Sequence, residues 1–412
     1  MISCTEFIPA YSEFFKYLDR KSGRQAVYDF WDALFQPGNS PLNGLIEQYG
    51  KLQGCWENWY VVYTEEACDN TMLYNEEEGW MVGCMHHCPS KGRFQKLGYM
   101  EPFEEYCKHC DGYDIVFKKQ GVGHVMDYRG NECAKCREVI FDPDKFKGDP
   151  QEILDLMYKC ELEGCKFAED PSKCPMNHPG TMTLHTTSDA YKYLHPDFHV
   201  SMAHCLRYGY DQYGEEGLKE YLRQFTLAFH KPLLSKVKEA GLSAIADYLT
   251  WLYTEEESSD ALQMELTGDA LDVTVLYSPA VKHFKFRNFT PHPCYEMGTS
   301  AVYDVIAKES GIGFEMFSYD HETETSIDYT SGFETAGTKD AVVVFTVPYV
   351  RYNCTMYVPE YKLPTEADYK NLCKFRDELA KNLENYVNTG NTQSTGNYVN
   401  GCDYYMNKYS SY

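Results

Sequence analysis

Ala26, Val27, Phe30, Trp31, Leu34 and Phe35 recur at the three-and-four spacing of one helical face. Far downstream Leu218, Tyr221, Leu222, Phe225 and Phe229 do the same. Each stretch runs into a proline, Pro41 or Pro232, suited to the first turn of a second helix. That helix stops near Gly50 or Gly241, the residue type that ends helices with least strain. A third helix follows, carrying Trp56, Trp59 and Tyr60 in one place and Ile245, Leu249 and Leu252 in the other. The period then shortens. Residues 79–85 and 270–277 read as strands, the latter with Leu271, Val273 and Val275 alternating. A helical stretch comes next, and each half closes on a β-rich run, residues 137–141 or 341–347.

Identical residues accompany the parallel pattern. Tyr63-Thr64-Glu65-Glu66 recurs as Tyr253-Thr254-Glu255-Glu256, Cys88 and Gly92 recur as Cys294 and Gly298, and Tyr113-Asp114 recurs as Tyr319-Asp320. Matches in one order indicate a duplicated module. The expected fold is α+β: two homologous modules with antiparallel sheets, joined by a Cys-rich connector. Its parts are a Cys-rich first module at 1–145, a connector with short helices at 146–204 and a second module at 205–350. A C-terminal helix at 351–387 and a flexible polar tail at 388–412 complete the chain.

The 412 residues carry 38 Lys+Arg against 62 Asp+Glu, a formal charge of −24, which argues against a protein that tracks nucleic-acid phosphates. No apolar run is long enough to span a membrane, and the first residues do not read as a secretory signal. The expected location is therefore the cytoplasm and the expected partner a small molecule, with the oligomeric state left open. Seventeen cysteines, eleven of them between Cys55 and Cys174, then read as reduced thiols and metal ligands rather than as a disulfide framework. A reducing or anaerobic bacterial host fits that usage.

Cys107-Lys-His-Cys110 and Cys133-Ala-Lys-Cys136 form two C-x2-C pairs, able to give the four thiolates that tetrahedral zinc prefers. Cys84 and Cys88 crowd the same module. Cys160, Cys165 and Cys174, with His178, make a second candidate set, for zinc or less readily for an iron–sulfur cluster. His195-Pro-Asp-Phe-His199 opens a helix at Pro196, so capping and packing are the expected roles of its two histidines. The element shared by both halves is the Cys with its downstream Asp. A thiol at a helix start would be favoured as thiolate by the helix N-terminus. The candidate catalytic residues are accordingly Cys88 with Asp114, and Cys294 with His292 and Asp320. The rival role for these residues is turn geometry and capping.

On the helical opening, Cys88-Pro89, Cys294, the downstream Asp and the closing β-run, each half resembles the bacterial L-2-amino-thiazoline-4-carboxylic acid hydrolase-like group. The resemblance implies hydrolytic opening of a cyclic C–N bond in a small heterocyclic metabolite. Cys294 would serve as nucleophile or ligand, His292 as acid–base and Asp320 as its orienter. The alternative is a non-catalytic sensor or carrier with structural zinc.

Overall fold

The computed structural model describes residues 1–66, 68–187, 195–319, 326–331, 343–348 and 352–357. The chain divides into two compact units, one of residues 8–195 and one of residues 1–7 with 196 onward.

The first unit opens with most of α1 (Cys4–Ser22), then α2 (Arg24–Leu34), α3 (Pro41–Tyr49) and α4 (Lys51–Glu65). The pattern places α2 to α4 well, with Val27, Phe30 and Trp31 the buried stripe of α2 and Pro41 opening α3, while α1 was not expected. At Gly54 any Cβ would stand 2.5 Å from Ile46 Cα, so glycine is what lets α4 cross α3 this closely. The hairpin β1 (Asp69–Asn75) and β2 (Trp80–His87) leads to α5 (Pro89–Leu97), a 3₁₀ turn at Tyr106–Tyr113 and α6 (Asp114–Gln120). Then come β3 (Gly123–Asp127), β4 (Cys136–Phe141), α7 (Pro150–Leu162) and β5 (Met182–Thr186). The sheet runs β3-β4-β2-β1-β5, every neighbour antiparallel. Side chains alternate across it. Met72, Met81 and Ile140 join Trp56, Trp59 and Tyr63 in one core, whereas Leu73, Val82 and Val139 meet Ile153, Leu154 and Met157 of α7 in the other.

The second unit contains α8 (Asp197–Phe229), broken at Gly214, then α9 (Lys231–Ala240) and α10 (Leu242–Glu255). The hairpin β6 (Leu262–Leu266) and β7 (Ala270–Val275) follows, with Leu271, Val273 and Val275 buried as their alternation requires. After α11 (Pro279–Phe286) and α12 (Met297–Ser310) come β8 (Gly313–Tyr319), β9 (Ser326–Ser331), β10 (Val343–Pro348) and β11 (Tyr352–Tyr357). The second sheet runs β6-β7-β11-β8, and β9 pairs with β10 apart from it.

The architecture is mixed helix and antiparallel sheet, as expected, but two boundaries change. The stretch 146–204 is not a separate connector: α7 and β5 complete the first unit's sheet and core, and α8 begins the second unit at Asp197. A module end at 350 would cut off β11, which lies between β7 and β8. The helix expected at 366–386 and the tail at 388–412 fall outside the described residues. Among the described residues, no helix is long and apolar enough to cross a membrane.

Candidate functional site

Cys88 ends the segment after β2, and its sulfur accepts from Lys91 N at 3.5 Å, capping α5. Its own N–H donates to Ala134 O at 2.7 Å, which holds Cys88 beside the turn between Cys133 and Cys136. Cys136 starts β4 opposite Met85, and the 3₁₀ turn brings Cys107 and Cys110. Several of these sulfurs act on one another. Burial pushes Cys110 well up, and Cys136, Cys88 and Cys107 add to the shift. Burial also raises Cys136, reinforced by Cys88, Glu138 and Cys107. Cys88 rises to about 11, through burial and then Cys107, against the lowering effect of the Lys91 amide. So the helix start does favour the thiolate, but desolvation outweighs it, and the thiolate expected there gives way to a thiol. Of the two C-x2-C pairs, three members gather with Cys88, while Cys133 is exposed on the turn.

The second cysteine set is parted from its histidine. His178 turns to Glu78, Nδ1 to Oε2 at 2.8 Å, and to Pro175 O at 3.1 Å. Cys84 responds to the same cysteines: burial raises its pKa, Arg137 opposes, and Cys174, Cys165 and Cys160 raise it further. Cys160 and Cys174 in turn each sense Cys165. Strand register explains why. His185, Thr71, Cys84, Arg137 and Asp127 are successive cross-strand partners and so share one face, the face under α7, where Cys174 packs on the core containing Cys84.

Asp114, the first residue of α6, meets a buried imidazole. Its Oδ1 lies 2.7 Å from His124 Nδ1, His124 Nε2 lies 3.4 Å from Glu138 Oε2, and Tyr63 donates to Glu138 Oε1 at 2.7 Å. Burial would lower His124, yet the two carboxylates outweigh it and lift it to about 9. Nearby, burial lifts the Glu66 carboxyl to about 7, against the pull of His195. Glu66 in turn raises Cys68 and Cys88.

In the second unit His292 Nδ1 accepts from Cys294 N at 3.2 Å. That is a cap on the 3₁₀ turn Pro293–Glu296, the capping role weighed for this element. Burial lifts Cys294 to about 11. Asp320 lies outside the described residues.

Two pairings escaped the sequence reading. His195 Nδ1 lies 2.6 Å from Glu65 Oε2 in the first unit. In the second, His199 Nε2 lies 3.4 Å from Cys4 Sγ and 3.0 Å from Glu256 Oε2. The four-residue spacing of the histidines and the repeated Thr-Glu-Glu were the available signals. Among the described residues, Cys4, His199 and Glu256 are the one set of three His, Cys, Asp or Glu ligand atoms lying within 4.8 Å of one another. The thiol groups of the first unit are wider than that. No protein-family model, no curated protein and no solved structure matches the chain.

Proposed function

We propose that the protein is a metal-dependent small-molecule-binding protein of reducing cytoplasm, with structural zinc held in its first unit by Cys88, Cys107, Cys110 and Cys136. What supports this reading is that Cys88, Cys107 and Cys136, from three chain segments, all raise the Cys110 thiol, and that Cys88 is tied by a backbone hydrogen bond to the turn before Cys136. Clustered neutral thiols hydrogen-bond poorly, whereas a divalent cation stabilises all four as thiolates and releases their protons. The register of Cys136 with β2 and the Cys88–Ala134 hydrogen bond supply the frame. Metal analysis of the anaerobically purified chain tests it. Zinc should be present, and Cys88→Ser or Cys110→Ser should each remove one equivalent while Cys133→Ser removes none. A metal-free chain, or loss on Cys133→Ser alone, overturns the reading.

A hydrolase acting on a cyclic C–N bond of the 2-aminothiazoline-carboxylate type is the second reading. It is supported by Glu66, a carboxyl near 7 beside Cys68 and Cys88 and suited to proton transfer at neutral pH. Ring opening by the wild type that disappears in Glu66→Gln would establish it, and no turnover of that substrate class would remove it. From α2 and from α8 onward both units run three helices, a hairpin, helices and strands, and four strands of the first sheet, β3-β4-β2-β1, follow the same order as β8-β11-β7-β6. We read this as support for a tandem duplication.

A further inference from the structure

We propose that the second unit holds a divalent cation of the zinc class between Cys4 Sγ, His199 Nε2 and Glu256 Oε2. All three residues are buried, at 1%, 1% and 5% exposure. They come from the N-terminus of the chain, the first turns of α8 and the residue just past α10. A Cys–His–carboxylate group at such distances has two chemical meanings, and the atoms decide between them. In a catalytic relay the nucleophile and the carboxylate engage different imidazole nitrogens. Here Cys4 and Glu256 both approach Nε2, at 3.4 and 3.0 Å, and Nδ1 makes no hydrogen bond. One nitrogen carries at most one proton, so it cannot donate to Glu256 and also accept from the Cys4 thiol. A cation at the focus of the three atoms resolves that conflict.

The carboxylate is already oriented for this. Glu256 Oε1 accepts from Cys4 N at 2.5 Å, which leaves Oε2 turned toward the imidazole. One sulfur, one nitrogen and one oxygen suit a borderline cation, whereas magnesium and calcium prefer oxygen alone. Binding converts the Cys4 thiol to thiolate and releases its proton to solvent, so a dication meets the thiolate and the carboxylate with charges balanced. The segment 1–7 is tied to the same unit by other contacts. Tyr248 donates to Glu6 at 2.7 Å, and Phe7 stacks on Phe198 at 4.5 Å. Removing one ligand therefore leaves those anchors in place.

The test uses the full chain, stripped with chelator and titrated with zinc. Wild type should bind one equivalent more than Cys4→Val and His199→Gln, with at least about 100-fold weaker binding at this site in each variant, and Cys4→Asp should restore part of it. Equal stoichiometry in wild type and folded Cys4→Val overturns the proposal. Zinc should also slow hydrogen exchange in residues 1–7 of the unmodified chain, a readout that needs no variant to fold. Exchange there that ignores zinc overturns it equally. First-unit variants such as Cys110→Ser must leave this equivalent in place, so the two metal readings fail separately.

Discussion

His124 and Asp114 meet Nδ1 to Oδ1 at 2.7 Å, with the imidazole buried and Glu138 on its other side. Their charges lift His124 from 6.5 to about 9 against the cost of burial. A histidine raised on folding adds stability that is fully present below its unfolded value and is lost as pH climbs through the folded one. The shift corresponds to about 3 kcal/mol at most. The stability lost in His124→Gln should therefore be largest near pH 6 and should shrink steadily between pH 7 and pH 10. Urea unfolding of both chains across that range checks it, and a gap that does not change with pH refutes the charged pair.

The helices α2 to α4 and α8 to α10 were legible because they bury stripes at helical spacing, Val27, Phe30 and Trp31 in α2 or Leu249 and Leu252 in α10, whereas α1 was not read from the sequence. Nor was β1. Its sequence, Asp-Asn-Thr-Met-Leu-Tyr-Asn, reads as polar, yet Asn70 and Thr71 are buried because their side chains bond Cys84 O and two histidines. β11 was hidden for another reason. It follows the apparent module end, and its partners, β7 and β8, are earlier in the chain. Spacing pairs Cys133 with Cys136, and it gives no sign that strand register and a Cys88–Ala134 backbone hydrogen bond also hold Cys88 beside that turn. Cys4, 252 residues from Glu256, left no local signal at all.

Gly83 faces Glu138 across β2 and β4, and a Cβ there would stand 2.9 Å from Glu138 Oε1. That oxygen also accepts from Tyr63. Gly83→Ala should displace the carboxylate, cost about 1–3 kcal/mol through crowding and return His124 toward its ordinary pKa. An NMR titration of the His124 ring protons measures the second effect. An unchanged titration would show that Glu138 is not what holds the proton.

The thiols should also separate by reactivity. Cys133 and Cys165 are exposed, whereas Cys294 is buried and lifted to about 11. At pH 8 such a thiol is ionised to roughly one part in a thousand, and the thiolate is the species that alkylates. Brief iodoacetamide treatment followed by peptide mass mapping should label Cys133 at once and leave Cys294 untouched. Cys165, grouped with Cys84, Cys160 and Cys174, should react only after chelator if that group holds metal. Fast labelling of Cys294 would restore it as a nucleophile, and labelling of Cys165 that ignores chelator would leave its group as unligated thiols.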